Sequence, residues 1–281
     1  MSNKPYWMLA GGLLLVGAPA AHAADGADNG QFSVSAGADY SSGKYGSTSN
    51  TDIWSVPFTA EYATNNWTFK LVLPYIDVSG PGDVIPGVGQ VHNKNPKSRG
   101  HGKGVAGGTT TPGTGTVGTG SASGLGDVVA SAGYQLFASS DQSFGVDLTG
   151  KIKFGTADAD KGLGTGKNDY GLSLDTYKTS GNWTAFGGVG WMKYGSSQYI
   201  QLRNGFNATV GAQYKLSGND SFGAYYYYRE RIAAGGAPQS ELTGYWNHKL
   251  GNGWRLQTYA MGGFANGSPD YGAGVTVKYA F

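Results

Sequence analysis

Charged side chains recur at alternate positions of several short segments, a spacing that places them on one face of a β-strand. Asp147, Lys151 and Lys153 share one such segment. Charges gathered on a water-facing surface can select solutes, or they can pair and hold strands together. Both uses are open from the sequence. The two tyrosines among the candidates either offer a surface to aromatic solutes or simply fill the interior. The candidates for lining a solute path are Lys70, Asp147, Lys151, Lys153, Asp169, Asp175, Tyr225, Tyr227, Arg229, Arg231 and Glu241.

Two other patterns resemble binding motifs but lack essential positions. Residues 162–167 read Gly-Leu-Gly-Thr-Gly-Lys, whereas a phosphate-binding P-loop needs glycine at position 161 and serine or threonine at position 168. The chain has Lys161 and Asn168 there, so we interpret this stretch as a flexible external loop. Asp158 and Asp160 lack the remaining ligand positions of a calcium-binding EF-hand. We therefore predict no cofactor and no metal site.

Hydrolysis of a lipid would need a serine nucleophile with a histidine base within reach. Beyond residue 23 the histidines are His92, His101 and His248. The first two lie in a long loop, and no serine lies two residues from His248. The sequence therefore predicts no enzyme, and a lipid-modifying enzyme is the rival class.

The strands that must position the candidate side chains are marked by apolar residues at every second position. The clearest is the final stretch, residues 271–281, where every odd position is apolar or aromatic. Pro57 cannot donate a ladder hydrogen bond, so we expect a bulge there. Eleven further segments alternate in the same way, at residues 32–40, 54–62, 67–75, 128–136, 144–154, 170–175, 183–191, 206–214, 222–231, 242–250 and 254–259.

The confinement of strand charges to one face indicates a wall between lipid and water. A charge on the lipid face costs about 2–4 kcal/mol near the middle of a bilayer. Short turns also alternate with longer loops along the chain, and both ends of the mature chain fall on the short-turn side. The sequence therefore predicts an all-β fold, a 12-stranded antiparallel transmembrane β-barrel of the outer-membrane type, with short periplasmic turns and longer extracellular loops.

The first 23 residues have the pattern of a secretory signal peptide. Lys4 precedes a short apolar stretch, and Ala21-His22-Ala23 provides a small-x-small cleavage site. We expect residues 24–281 to form a single barrel domain in the cell outer membrane. Charged residues are 14% of the chain and glycines number 50, a composition that suits a barrel. The net charge of +2, without a basic stripe, gives no indication of nucleic-acid binding.

One long external loop is predicted at residues 79–126. It is rich in glycine and threonine, and it can fold into the barrel or stay outside. Its basic cluster is interpreted as solvated, and we expect it to meet the phosphates of lipopolysaccharide in the outer-membrane lipid. A gate or a solute vestibule is the alternative use of this cluster. The cluster consists of Lys94, Lys97, Arg99, His101 and Lys103.

The C-terminal segment resembles the last strand of outer-membrane barrels, whose terminal aromatic residue is read by the barrel-assembly machinery. Phe281 would take that role. Several blocks also resemble a family of outer-membrane proteins named for the meta-cleavage pathway of phenol degradation. These blocks are residues 52–57 (Asp-Ile-Trp-Ser-Val-Pro), 73–82 (Leu-Pro-Tyr-Ile-Asp-Val-Ser-Gly-Pro-Gly), 123–127 (Ser-Gly-Leu-Gly-Asp), 153–156 (Lys-Phe-Gly-Thr) and 161–166 (Lys-Gly-Leu-Gly-Thr-Gly).

That resemblance covers most of the mature chain and implies an outer-membrane transporter. The function expected from it is passive passage of small solutes, with aromatic or other hydrophobic compounds among them. It carries no established functional residues onto this chain. Besides the enzyme, a closed barrel with a structural or surface-interaction role is an alternative.

Overall fold

The structure, a computed structural model, describes residues 30–47, 49–100 and 118–281. The predicted signal peptide, His101 and Lys103 lie outside these ranges. The regular structure of the described residues is entirely β. Among them, no helix is long and apolar enough to cross a membrane. The strands are β1 (Gln31–Gly43), β2 (Thr51–Ala63), β3 (Trp67–Pro81), β4 (Val84–Ile85), β5 (Gly89–Gln90), β6 (Thr119–Leu125), β7 (Val129–Ala138), β8 (Phe144–Lys153), β9 (Asp169–Ser180), β10 (Trp183–Lys193), β11 (Gly205–Lys215), β12 (Asp220–Arg229), β13 (Gln239–Gly251), β14 (Trp254–Gly263) and β15 (Tyr271–Ala280).

The wall closes on itself because the first strand pairs with both the second and the last. β1 meets β2 on one side and β15 on the other, with Ser33 opposite Ala280 and Ser42 opposite Tyr271. β6 and β7 both pair with β3, one after the other along its length, so together they act as the fourth wall strand. Every neighbouring pair is antiparallel. The predicted 12-stranded barrel is confirmed.

The fourth wall strand is longer than the sequence indicates, and the long loop is correspondingly shorter. β3 continues to Pro81, and β6 pairs with it from Thr119, so residues 79–81 and 119–125 belong to the wall rather than to the loop. Small residues fill β6 (Thr-Gly-Ser-Ala-Ser-Gly-Leu). They give no apolar alternation, and the pairing with the longer strand β3 holds them in the ladder. Residues 126–128 interrupt the fourth strand before β7 resumes it.

Pro57 perturbs the ladder without a bulge. The pairing of β1 with β2 breaks off after Ala36 and Phe58 and resumes in the same register at Asp39 and Ser55. No extra residue is inserted, so the predicted bulge is wrong. The interruption itself follows from the missing proline N–H, while β2 stays in register with β3, where Pro57 lies opposite Pro74.

The two faces of the wall differ as the alternation predicts. Large apolar side chains such as Trp54, Leu174 and Val210 are exposed on the outside. The alternate positions, among them Asp39, Asp147 and Gln257, are buried on the inside. The turns between β2 and β3, β9 and β10, and β13 and β14 are two or three residues long, and the intervening connections are longer. Both described termini lie at the short-turn end, where Phe281 N donates to Phe32 O.

This arrangement predicts a depth-dependent cost for a charge on the outer surface. Val210 lies near the middle of β11 and is 62% exposed, whereas Leu216 lies in the turn after the strand and is 60% exposed. We expect Val210→Arg to lower the free energy of unfolding by about 2–4 kcal/mol and Leu216→Arg by about 0–1 kcal/mol. Denaturant unfolding from lipid vesicles measures both. Equal costs would mean that the outer surface does not face lipid.

Candidate functional site

Aromatic side chains from consecutive strands line one side of the barrel interior. Tyr225 and Tyr227 on β12 pack with Tyr245 on β13 and Tyr259 on β14, and all four are buried. Tyr225 and Tyr245 have ring centroids 6.2 Å apart. We call these four residues the tyrosine wall. Their neighbours Phe186 and Tyr177, on β10 and β9, extend the same cluster around the interior.

Two hydroxyl groups of the tyrosine wall donate hydrogen bonds to polar groups of the interior. Tyr259 OH donates to Asp39 Oδ1 at 2.9 Å, and Tyr245 OH donates to Gln213 Oε1 at 3.3 Å. A buried tyrosine needs such partners because its hydroxyl has left water. The wall is therefore apolar on its ring faces and polar at its edges, a surface suited to an amphipathic solute.

Charged side chains from β8 and β9 line another part of the interior. Lys153 lies at the extracellular end of β8, with its Nζ 2.6 Å from Asp127 Oδ2 and 2.9 Å from Asp169 Oδ2. Deeper in the barrel, Asp147 and Asp175 stand directly opposite each other on the paired strands, and both are buried. Asp175 also accepts a hydrogen bond from Ser173 at 2.9 Å. We call Asp147, Lys151, Lys153, Asp169 and Asp175 the charged wall.

The periplasmic end holds a separate ion cluster across the closing seam. Glu61 on β2 lies 2.8 Å from Lys278 Nζ on β15 and 3.7 Å from Lys70 Nζ on β3. The contact with Lys278 spans β1, which lies between the two strands. For Lys70 and Lys153, ion pairing that holds neighbouring strands is therefore the use that the structure supports.

The long loop folds inward over the extracellular end. Residues 82–100, which we call the lid, leave β3 and include the small β4–β5 hairpin. Val84 packs among the wall residues Ile53, Ile76 and Val78. Ile85, Val88 and Val91 pack in turn with residues of two other extracellular connections, Ile200, Ile232 and Ala233. These apolar contacts place the lid across the mouth of the barrel.

Two buried arginines bind the lid through backbone carbonyl groups. Arg229, at the extracellular end of β12, donates to Gly87 O at 3.2 Å and to Val88 O at 2.6 Å. Its guanidinium also lies 5.9 Å from the centre of the Tyr194 ring. Arg99, within the lid, donates to the carbonyl groups of Gly162, Pro81 and Val84. The lid is thus tied both to the wall and to the neighbouring loop.

Arg99 corrects the interpretation of the basic cluster as solvated. Its side chain is 7% exposed, and burial lowers its pKa to about 10, with Asp83 acting in the opposite direction. Lys94 remains exposed, and Lys97 makes a surface contact of 3.2 Å with Asp160. The described part of the cluster therefore contains one buried residue, Arg99, and two exposed lysines. Arg99 is buried because the lid folds back onto the loop that contains Gly162.

Arg231 is the candidate that the structure places away from the barrel interior. β12 ends at Arg229, so the strand alternation that predicted an inward side chain does not extend to Arg231. Its side chain is exposed, and its carbonyl accepts a hydrogen bond from Arg203 Nε at 2.6 Å. The other candidates lie on inward positions of the wall strands, Lys70 and Lys151 half-buried and the rest buried.

The glycine-rich stretch at residues 162–167 is an external loop, as predicted, but it is anchored. Leu163 is 1% exposed and packs with Ala157, Ile76 and Val78. The left-handed backbone of Gly162 (φ 68°) brings its carbonyl to Arg99. Within the described residues, no group of three or more His, Cys, Asp or Glu side chains could hold a metal ion.

His248 has polar partners, but their order does not match a hydrolytic triad. Its Nδ1 lies 2.8 Å from Asp220 Oδ1, and Ser217 Oγ donates to the other oxygen of that carboxylate at 2.9 Å. In a catalytic triad the imidazole stands between serine and carboxylate. Here the carboxylate stands between serine and imidazole, so the serine lacks its base.

Comparison with known proteins identifies the fold. The barrel resembles an outer-membrane channel from Pseudomonas putida F1 with a TM-score of 0.63 at 14% sequence identity, covering 90% of this chain and 96% of that chain. The KdgM porin, solved in complex with disordered oligogalacturonate, superposes with a TM-score of 0.50 at 8% identity over 89% of this chain and 99% of that one. This is an outer-membrane barrel fold. No protein-family model matches the chain, and no curated protein sequence matches it.

Sequence reasoning left the inward position of the lid open, and it missed the contacts of Arg99 and Arg229 that hold the lid. Val84, Ile85, Val88 and Val91 are apolar residues within a loop that is otherwise rich in polar residues and glycine. Such residues are expected to be buried, and this was the available signal for an inward fold. The hydrogen-bond partners of Arg99 could not be predicted from residue types, since every residue has a backbone carbonyl group.

Proposed function

We propose that this protein is an outer-membrane channel for passive passage of small solutes. The observation that carries the proposal is the lid. A separate chain segment, rather than the wall side chains, covers the extracellular mouth, and it is held there by two apolar clusters and by the hydrogen bonds of Arg99 and Arg229. We propose that this segment opens, which a barrel that serves only as a structural element would not need. The similarity in fold to an outer-membrane channel supports the same conclusion.

The dimensions of the wall allow either a narrow path or a tightly filled interior, and the proposal is the narrow path. Twelve strands about 4.8 Å apart and tilted by about 40° give a wall radius of roughly 12 Å, of which side chains occupy several ångströms. The tyrosine wall offers ring faces along this interior, and the charged wall offers a polar surface beside them. Solutes with an aromatic or other hydrophobic part fit such a surface, in agreement with the family implied by the sequence resemblance, to which we propose this chain belongs.

The proposed location and partners follow from the same features. The exposed apolar outer surface suits the outer membrane, reached by means of the N-terminal signal peptide. The exposed lysines of the lid, Lys94 and Lys97, would meet lipopolysaccharide phosphates. Phe281, 70% exposed beside Phe32, would be available to the barrel-assembly machinery. The proposal includes no enzymatic activity, no cofactor and no nucleic-acid partner.

Reconstitution of the purified protein into planar bilayers tests the proposal. We expect discrete conductance steps, together with swelling of proteoliposomes in a panel of aromatic acids, sugars and nucleosides. The matched control is the same preparation unfolded by heat before reconstitution. If the folded protein gave no conductance steps and no solute flux, the result would support a closed structural barrel instead.

A further inference from the structure

A small cavity lies between the tyrosine wall and the lid. Its volume is about 30 Å³, which is room for roughly two water-sized groups. Wall residues form most of its lining, Tyr45 and Pro269 of two connections complete it, and Ile85, Gly87 and Gly89 of the lid cover it. Any occupant would therefore contact both the wall and the lid.

Buried acidic groups set the charge of this cavity. Asp39 and Glu241 both line it and are 3% and 7% exposed. The described lining includes no lysine or arginine. Arg229 is the nearby cation; its guanidinium donates to Gly87 O and Val88 O, and its charge acts on Glu241 but not on Asp39. The cavity therefore has an excess of negative charge.

Two of the lining side chains have polar atoms without protein partners. Glu241 Oε1 is buried and accepts no hydrogen bond from the described residues. Gln239 is 1% exposed, and neither its Oε1 nor its Nε2 has a partner among them. Buried polar atoms are nearly always satisfied in folded proteins, because each unsatisfied one costs about 1–3 kcal/mol. A ligand that donates hydrogen bonds would satisfy both oxygens.

We propose that this cavity binds a small organic ammonium ion. Tyr225, Tyr227 and Tyr259 contribute aromatic rings, which attract cations through the negative charge of their faces. Asp39 and Glu241 supply the counter-charge, and the Gln239 amide oxygen and Glu241 Oε1 accept N–H groups. Alkyl groups on the nitrogen fit against the apolar rings. A metal ion would be less favourable there, because the rings offer it no ligand atoms.

The proposal gives the proposed channel a ligand class and rests on that function for its physiological use. Binding itself needs only the folded barrel. It is therefore measured on detergent-solubilised protein, separately from conduction. A barrel that conducts without binding ammonium ions would overturn this inference alone, and a barrel that binds them without conducting would overturn the channel alone.

The test titrates methylammonium chloride into the solubilised protein in mildly alkaline buffer, with ligand-observed saturation-transfer NMR as the readout. Methanol, a neutral molecule of nearly the same size, is the matched control ligand. We expect saturable binding of methylammonium and none of methanol. Glu241→Gln keeps the shape and removes the charge, so it should weaken binding at least about tenfold. Asp39→Asn should weaken binding in the same direction.

Glu230→Gln provides the matched control variant, since Glu230 is an exposed carboxylate at the same end of the barrel. Its affinity for methylammonium should stay within about twofold of the unmodified protein, as expected for a solvated charge. Heat-modifiable electrophoretic mobility establishes that each variant is folded. Should Glu241→Gln fail to fold, Asp39→Asn decides the outcome. Absent binding, or equal binding in the folded cavity variants, would refute the site.

Discussion

Replacing Arg229 with alanine should raise the open probability of the proposed channel, reconstituted in bilayers, at least about tenfold. The side chain holds the lid through bonds to Gly87 O and Val88 O, both made by a charged donor. Hydrogen bonds to charged groups contribute about 1.5–3 kcal/mol each. Losing even one of them changes the balance between closed and open lid about tenfold or more. Single-channel recording measures the open probability directly.

Arg231→Ala is the matched control for that measurement. Arg231 lies two residues further along the chain, is exposed, and gives no side-chain contact to the lid in the described structure. Its removal should leave the open probability within about twofold, because an exposed charge contributes little. Arg229→Lys should fall between the two, since lysine keeps the charge but lacks the planar fork that reaches two carbonyl groups. Equal open probabilities for Arg229→Ala and Arg231→Ala would show that the lid does not gate the mouth.

The wall was predictable because lipid imposes a strict rule on each strand. A polar residue on the outer face, or a run of large apolar residues on the inner face, is costly in a membrane barrel. The alternation can therefore be recognised in the sequence of residues 271–281 and of most other strands. The turns were equally clear, as with Gly251-Asn-Gly253, where Asn252 and both glycines adopt positive φ. These patterns involve residues close together in the chain, so they can be recognised in a single sequence.

β6 was missed because its residues do not alternate in size or polarity. Its position depends on pairing with β3, in which Tyr75 lies opposite Leu125 and Pro81 opposite Thr119. The position of the lid was left open for a related reason. Val88 and Ile232 are far apart in sequence, and their contact exists only once the barrel has closed. Residue spacing therefore predicted which side chains lie on the wall, but it did not predict the contacts made across the mouth of the barrel.

The error about Arg231 has the same origin. The alternation over Tyr225, Tyr227 and Arg229 continues in the sequence to Arg231, and period alone cannot say where a strand ends. The structure ends β12 at Arg229, where Glu230 N bonds to Phe206 O and the chain enters the next loop. One residue of that series binds the lid, and the next is left in solvent.

Lys153→Met should lower the free energy of unfolding by about 3–5 kcal/mol, the usual cost of removing one partner from a buried ion pair. Lys153 is bonded to Asp127 and Asp169, and all three side chains are at most 10% exposed. Asp127 lies at the interruption between β6 and β7 and accepts from Ala157 N, while Asp169 accepts from Gly195 N. Without the ammonium group, two buried carboxylates would repel each other where the wall meets two of its loops. Urea unfolding in detergent micelles measures the loss.

The matched control is Lys178→Met, at the opposite end of the charged strands. Lys178 is exposed and donates to Ser143 Oγ at 2.9 Å, so its removal should cost no more than about 1 kcal/mol. Adding Asp127→Asn and Asp169→Asn to Lys153→Met should recover much of the lost stability, because it removes the uncompensated charges while keeping the side-chain shapes. If the triple variant were no more stable than Lys153→Met, packing of the lysine stem rather than its charge would hold this junction. In that case the stability of the charged wall would depend on the shape of its side chains rather than on their charge.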